Sequence, residues 1–155
     1  MRPVAIFVLL VTLAGGCGGD DSEDSAGPES QAGEQKQGLS LSVSFDEPLR
    51  TGQPVTWTLQ VENGGPEAAT LVFRSGKDGD VALLKDGREA YRWSATRYFS
   101  QAMRQERLEA GERKKFPLEE KEFSAEAGDY ELVAQLDSEP APPPARRSVT
   151  VKSKG

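Results

Sequence analysis

The sequence of 155 residues contains no histidine and a single cysteine, Cys17. Without histidine the chain lacks the usual imidazole base, which excludes a Ser-His or Cys-His catalytic pair and a Cys/His zinc site. One cysteine cannot form a disulfide within the chain, so packing alone must stabilise the fold. The sequence also lacks an apolar run of the roughly 20 residues that a membrane-spanning helix needs.

Basic residues are few only in the first part of the chain. The formal charge is -6, with two basic against six acidic residues in residues 1–38 and 17 against 19 in the rest of the chain. A nearly neutral remainder does not provide the basic patch that neutralises phosphates, so no nucleic-acid partner is expected. A composition of 36% hydrophobic and 28% charged residues is typical of one ordinary globular domain.

Residues 1–16 have the layout of a secretory signal peptide. Arg2 gives a positive start, residues 4–13 hold nine apolar residues out of ten, and three small residues precede Cys17. The apolar run would extend only about 15 Å as a helix, too short for a permanent span. Small residues directly before a cysteine resemble the bacterial lipobox, which implies that Cys17 is acylated and becomes the new N-terminus. The alternative is ordinary cleavage that leaves a free thiol.

Residues 17–38 are therefore predicted to be a lipidated cysteine followed by a disordered acidic tether, with the protein exported and held at a membrane by its lipid. Residues 18–38 contain no Val, Ile, Leu, Met or aromatic residue, so nothing offsets the entropy of ordering them. Their root-mean-square reach is about 25 Å. The acidic group at residues 20–24 is more typical of a solvated spacer than of a calcium site, and we predict neither a metal nor a cofactor.

Residues 39–153 are predicted to form one all-β domain. In residues 39–45 and again in residues 55–62, apolar side chains alternate with polar ones, which is typical of half-buried strands. Further runs lie at 70–74, 81–85, 88–94, 106–109, 113–118, 128–136 and around Val149 and Val151. Seven to nine short strands separated by frequent turns predict an antiparallel immunoglobulin-like β-sandwich, with at most one helical turn near residues 98–104.

Two local motifs support this fold. Asp86-Gly87 tolerates the positive φ angles of a two-residue hairpin turn. Gly128-Asp129-Tyr130 at the start of a strand suggests a tyrosine corner, in which the phenol bonds back to a loop. We interpret the larger aromatic residues as core rather than as cofactor contacts; they are Phe45, Trp57, Phe73, Trp93, Phe116 and Tyr130.

Several short motifs follow one another along the chain in a characteristic order. They are VEN at 61–63, LVFRSG at 71–76, YRWS at 91–94, FSQ at 99–101, LEAGE at 108–112 and GDYEL at 128–132. In this order, over residues 40–137, the chain resembles the BsuPI-type intracellular proteinase inhibitor domain. The resemblance implies a β-sandwich and a role in binding or inhibiting serine proteinases.

An inhibitor needs a rigid exposed segment, since preorganisation limits the entropy cost of binding. The prolines of residues 140–144 stiffen the last loop, and Arg146 and Arg147 follow with side chains suited to a trypsin-like pocket. The alternative is that these prolines only separate two strands and prevent edge pairing. A second candidate is the segment 94–103, where Tyr98 and Phe99 are either exposed anchors or core.

The broader alternative function is a recognition or assembly module of the cell envelope, unrelated to proteases. An enzyme is not predicted. The carboxylate pairs Asp78 and Asp80, and Glu119 and Glu120, lie in turn-like sequence, so they are interpreted as solvated groups without the burial that raises a catalytic pKa.

Overall fold

The computed structural model describes residues 38–155, which form an all-β sandwich. The predictions for residues 1–37, including the signal peptide, the lipid on Cys17 and most of the tether, lie outside the described residues. The strands are β1 (Leu39–Ser44), β2 (Leu49–Arg50), β3 (Val55–Asn63), β4 (Ala69–Phe73), β5 (Gly79–Lys85), β6 (Arg88–Arg92), β7 (Arg104–Leu108), β8 (Arg113–Glu120), β9 (Gly128–Leu136), β10 (Ser138–Glu139) and β11 (Ala145–Lys152).

Three hydrogen-bonded sheets build the sandwich. Their strand orders are β1-β3-β8, β2-β11-β9-β5-β6 and β10-β4-β7. All pairings in them are antiparallel except that of β2 with β11. The predicted antiparallel immunoglobulin-like sandwich is confirmed. Nine of the strands have five residues or more, which agrees with the predicted seven to nine.

The inner faces of β3 and β9 form the centre of the core. Every second residue of β3 is buried, so Trp57, Leu59 and Val61 face inward while Thr56 is exposed. Leu132 on β9 joins them in one apolar cluster. Fully burying a side chain of this size contributes roughly 1.5–3 kcal/mol, and this burial is what a disulfide-free domain relies on.

The pairing of β9 and β10 with β5 and β4 is interrupted in its middle, and this interruption positions the site described below. β4 pairs with β10 and β5 pairs with β9, while residues 74–78 and Asp137 lie between these ladders. The Asp137 amide donates to the Asp78 carbonyl oxygen at 2.9 Å. A Cβ on Gly79 would collide with the Gln135 carbonyl, so only glycine allows this close approach.

Both predicted local motifs are confirmed. Asp86 and Gly87, between β5 and β6, have φ angles of 51° and 75°, as a two-residue hairpin turn requires. The Tyr130 hydroxyl donates to the Glu126 carbonyl oxygen at 2.9 Å, which is the tyrosine corner.

Three details differ from the sequence-based expectation. The helical turn predicted near residues 98–104 is instead a 3₁₀ helix at Trp93–Thr96, because Phe99 packs back on Trp93 and keeps the following chain extended. Phe45 is only partly buried against the core. Phe123, in a segment without regular secondary structure between β8 and β9, is fully buried. Within the described residues no helix is long and apolar enough to cross a membrane.

Candidate functional site

The loop of residues 97–103, called here the 97–103 loop, joins the 3₁₀ helix to β7 and is the candidate site. It has no regular secondary structure, yet side chains at its start and end point back into the domain. Tyr98 is fully exposed and Met103 is 64% exposed, and within residues 38–155 they are the two large apolar side chains left in solvent. Tyrosine is among the residues enriched at the hot spots of binding surfaces.

Arg97 fixes the start of the loop. Its guanidinium lies over the Trp93 ring at 4.4 Å from the centroid. Its Nη1 donates to the Trp93 carbonyl oxygen at 2.6 Å, and its Nη2 donates to the Glu119 carbonyl oxygen at 2.9 Å. Nη2 also forms an ion pair with Glu120 at 3.3 Å. This planar side chain therefore connects the 3₁₀ helix to the end of β8.

Phe99 packs on the same tryptophan, with 5.7 Å between the ring centroids of Phe99 and Trp93. Trp93 is itself held, because its Nε1 donates to the Glu119 carbonyl oxygen at 3.0 Å. In an extended chain successive side chains point to opposite sides. Since Arg97 and Phe99 both turn inward onto Trp93, Tyr98 between them turns outward.

The middle and the end of the loop are also held. The Gly76 amide donates to the Ser100 carbonyl oxygen at 2.8 Å, and a Cβ on Gly76 would lie 2.5 Å from Ser100 Oγ. The Arg104 guanidinium, where β7 begins, lies 4.1 Å from the centroid of the Phe73 ring and forms an ion pair with Asp78. The loop is therefore braced at its start, middle and end without a disulfide.

Glu120 links the loop to the core. The hydroxyl of the buried Tyr91 donates to Glu120 Oε2 at 3.0 Å, on the carboxylate that pairs with Arg97. Burial raises the pKa of Glu120, but hydrogen bonds from Arg97 and Tyr91 lower it more, so its pKa is below the usual range. Burial and the charge of Glu120 raise the pKa of Tyr91. The carboxylate is thus ionised and the phenol neutral at neutral pH.

Asp80 forms a second, more deeply buried cluster under the 3₁₀ helix. It accepts hydrogen bonds from Lys77 Nζ at 2.9 Å, Arg92 Nη1 at 3.1 Å and the Ser94 hydroxyl at 2.5 Å. Burial raises the pKa of Asp80, but the bonds from Ser94 and Lys77 and the charge of Lys77 lower it more, leaving it below the ordinary value. The cluster fixes the turn before β5 against the residues that carry Trp93.

The interpretation of the carboxylate pairs as solvated is therefore wrong for Asp80 and for Glu120. Asp80 is buried beside Lys77 and Arg92, and the Glu120 side chain, which pairs with the distant Arg97, is only 15% exposed. A lowered pKa does not suit a general acid at neutral pH. Within residues 38–155 no group of Asp, Glu, Cys or His side chains is arranged to hold a metal ion. The acidic residues 20–24 lie outside the described part.

The sequence predicted that Arg146 and Arg147 lie in a loop, but the structure places them in β11. The strand starts at Ala145, immediately after the prolines, because it pairs with β9 in register. Arg146 pairs with Glu131 at 2.7 Å, and Arg147 pairs with Glu47 at 2.6 Å. Both pairs are exposed, and because the two arginines are successive residues of one strand their side chains leave from opposite sides of it. Their role in binding a partner stays a prediction.

Arg147 also lies over the Phe45 ring, 4.8 Å from its centroid. Both residues line a groove of about 980 Å³ beside β9 and β11, which Tyr130 and Lys152 also line. The structure therefore separates the two sequence candidates. Tyr98 and Phe99 belong to the braced loop, and Arg147 belongs to this groove.

Sequence reasoning identified Tyr98 and Phe99 but missed the residues that position them. Arg97 and Glu120 are 23 positions apart and meet only because β8 ends beside the 3₁₀ helix. The available signal was weak: a cation two residues before a phenylalanine, four residues after a tryptophan. Side chains at this spacing contact each other in a helical turn.

The chain was compared with known proteins. A family model described as "BsuPI: Intracellular proteinase inhibitor" matches residues 42–141. No curated protein matches.

Among solved structures, the CARDB domain of the PF1109 protein from Pyrococcus furiosus, in complex with di-metal ions, is 15% identical with a TM-score of 0.44, covering 75% of this chain and 94% of that one. The sporulation control protein Spo0M from Bacillus subtilis is 17% identical with a TM-score of 0.47, covering 76% of this chain and 50% of that one.

Proposed function

The chain belongs to the BsuPI family of intracellular proteinase inhibitors, and on this basis we propose that its domain binds and inhibits a serine proteinase through the 97–103 loop. The observation that carries this proposal is the double packing of Arg97 and Phe99 on Trp93, which leaves Tyr98 fully exposed between them. The loop acts as a ligand, and the domain has a non-catalytic role.

Bracing supports the proposal because an inhibitor must present its loop in a fixed shape. Ordering a free loop and its side chains on binding costs about 0.5–1.5 kcal/mol for each rotamer-rich side chain. In the 97–103 loop the contacts of Arg97 with Trp93 and Glu119, and of Gly76 with Ser100, already bear that cost in the folded domain. An exposed tyrosine adds a large contact area with only two rotatable bonds.

The electrostatics support a non-catalytic role. The two most buried carboxylates beside the loop, Asp80 and Glu120, are engaged by Lys77, Arg92 and Arg97, and both have lowered pKa values. Such groups are held as charged structural anchors and have no free proton to donate near neutral pH. The absence of histidine from the chain agrees with this assignment.

We also propose that the domain is exported and tethered to a membrane by lipid on Cys17. The composition of residues 1–17 supports this, with a basic start, a short apolar run and small residues before the cysteine. Metabolic labelling with a fatty-acid analogue tests it. Label is expected in the wild type and absent from Cys17→Ala, and label that persists in the variant would contradict the anchor.

The domain has two ends, and they suit such a tether. Gly38 accepts a hydrogen bond from the Gly64 amide at 2.7 Å, beside the Asn63 end of β3. Glu120, at the base of the 97–103 loop, pairs in register with Val55 at the other end of β3. These ends are about 26 Å apart at the rise of a β-strand. A tether joined at Gly38 would leave the loop on the far side.

The inhibitor function is tested by titrating the full-length chain into serine proteinases whose primary pockets accept basic, aromatic or small side chains. Inhibition of at least one is expected, with the chain remaining intact by mass spectrometry. A variant with residues 98–102 replaced by glycine and serine serves as the loop control and should not inhibit. If the wild type and the loop variant inhibit equally, the binding site lies outside the 97–103 loop. If neither inhibits any of the proteinases, the proposed inhibitor function is wrong.

A further inference from the structure

Resting on the proposed function, we propose that Tyr98 is the primary specificity residue: its side chain enters the main pocket of a serine proteinase that cleaves after large aromatic residues. The substrate-like bond is then the peptide bond between Tyr98 and Phe99. This assigns the class of target as chymotrypsin-like in pocket chemistry, and not trypsin-like as the arginines of β11 suggested.

The backbone around Tyr98 suits this role. Arg97 has φ -115° and ψ 148°, an extended conformation, and within residues 38–155 the only non-glycine residue with a positive φ is Asp86. Residues 97–103 also contain no turn or bend, so the chain continues without a reversal at Tyr98. A proteinase cleft binds an extended segment by adding its main chain to an edge, while alternate side chains fill pockets. Tyr98 is the side chain of this segment that projects fully into solvent.

Arg97, which starts the loop, and Arg104, which follows it, are not available as the primary specificity residue. Arg97 is 24% exposed, and its guanidinium is occupied by Trp93, Glu119 and Glu120. Arg104 is occupied by Phe73 and Asp78. A trypsin-like pocket carries an aspartate at its base and needs a free cation. Neither guanidinium is free to enter such a pocket unless the base of the loop comes apart.

The packing of Phe99 explains how the peptide bond between Tyr98 and Phe99 can re-form after the proteinase has cleaved it. The serine hydroxyl oxygen of the proteinase bonds to the Tyr98 carbonyl carbon, and the C–N bond to Phe99 breaks. The hydroxyl proton passes through the proteinase histidine to the new Phe99 amine. Because Phe99 stays packed on Trp93 and the Ser100 carbonyl stays bonded to Gly76, the amine remains beside the acyl group. The reverse step then re-forms the peptide bond.

The test measures inhibition constants of the full-length chain against chymotrypsin, trypsin and elastase, whose primary pockets accept aromatic, basic and small side chains respectively. The wild type should inhibit chymotrypsin most strongly. Tyr98→Ala should weaken that inhibition by about 100-fold, as removal of a central anchor does. Tyr98→Lys should no longer inhibit chymotrypsin and should inhibit trypsin instead. Because the Tyr98 side chain is fully exposed, both variants should keep the wild-type melting temperature.

Arg88→Ala, which truncates an exposed side chain of β6 outside the 97–103 loop, is the matched control and should inhibit as the wild type does. Equal inhibition of chymotrypsin by the wild type and Tyr98→Ala would overturn the assignment of Tyr98 while leaving the inhibitor function standing. Stronger inhibition of trypsin than of chymotrypsin by the wild type would do the same. Inhibition of none of the three would overturn both proposals.

Discussion

Arg97 lies over Trp93, with 4.4 Å between its guanidinium carbon and the ring centroid, and it also donates to the Trp93 carbonyl oxygen. One side chain thus stacks on the residue four positions earlier and caps that residue's backbone. The contact is directional, since a planar, delocalised cation stacks on an aromatic face whereas an ammonium group does not fit the same way. The 97–103 loop starts from this contact.

We therefore predict that Arg97→Ala lowers the free energy of unfolding by about 2 kcal/mol, the sum expected for a half-buried cation–π contact and its hydrogen bonds. Arg97→Lys should recover little of this loss, because a lysine has no planar fork. Both variants should inhibit a target proteinase at least about 10-fold less well. Urea unfolding and inhibition assays measure the two effects. Arg107→Ala, which removes an exposed pair with Glu109, is the control and should change neither.

A second prediction concerns the buried carboxylate Asp80. Asp80→Ala removes the more buried of the two carboxylate partners of Lys77 and of Arg92 and should lower the free energy of unfolding by about 3 kcal/mol, as breaking a buried ion pair does. Chemical denaturation compares it with Asp46→Ala, an exposed aspartate that should keep the wild-type midpoint. A loss no larger than that of the control would show that the cluster does not stabilise the fold.

The third prediction is a pH dependence. The pKa of Glu120 is lowered in the folded domain, so this carboxylate contributes stability above its unfolded value of about 4.3, and the contribution is lost as the pH falls through the lower folded value. Glu120→Gln should thus be less stable than the wild type at pH 7, and the difference should shrink below about pH 4. Denaturation curves at pH 7 and near pH 3 measure this. A constant difference would contradict the assignment.

The tyrosine corner gives a fourth prediction. Tyr130→Phe removes the hydrogen bond to the Glu126 carbonyl and should cost about 1 kcal/mol of unfolding free energy. Tyr98→Phe makes the same chemical change on a fully exposed ring and should leave the stability unchanged. Thermal unfolding of the two variants side by side would reveal whether the phenol of the corner contributes. Equal melting temperatures for the two variants would contradict a stabilising role of the Tyr130 hydroxyl.

The fifth prediction tests a core residue that lies outside the strands. Phe123 is fully buried, with 4.9 Å between its ring centroid and that of Tyr91 and 5.6 Å to that of Trp57. Phe123→Ala should lower the unfolding free energy by about 3–5 kcal/mol. Phe45→Ala, on a ring that is only partly buried, should cost less. Urea midpoints that rank the two variants in the opposite order would contradict this description of the core.

The sequence was sufficient to predict the strands and their turns, because these depend on local patterns. Period-two alternation places Trp57, Leu59 and Val61 on one face, and Asp86-Gly87 supports the positive φ angles of its hairpin. Phe123 was missed as core, because its alternation with Ala125 against exposed Ser124 and Glu126 is short and forms no strand.

The site was harder to predict because it depends on contacts between distant residues. Tyr98 was identified, but its exposure follows from the packing of its two neighbours on Trp93, and the burial of Asp80 follows from cations on two other elements. The placement of Arg146 failed for a related reason. Prolines signal a loop, but only the register with β9 determines that β11 starts directly after them.

The bracing of the 97–103 loop has a consequence for the compartments in which the domain can work. Residues 38–155 contain no cysteine, so the loop is held by stacking, ion pairs and backbone bonds that do not respond to redox potential. Thiol reductants that loosen disulfide-clamped loops leave these contacts intact. A loop of this design keeps its shape in a reducing cytoplasm and in an oxidising envelope alike, so a scaffold named for intracellular inhibitors needs no redesign to operate outside the cell.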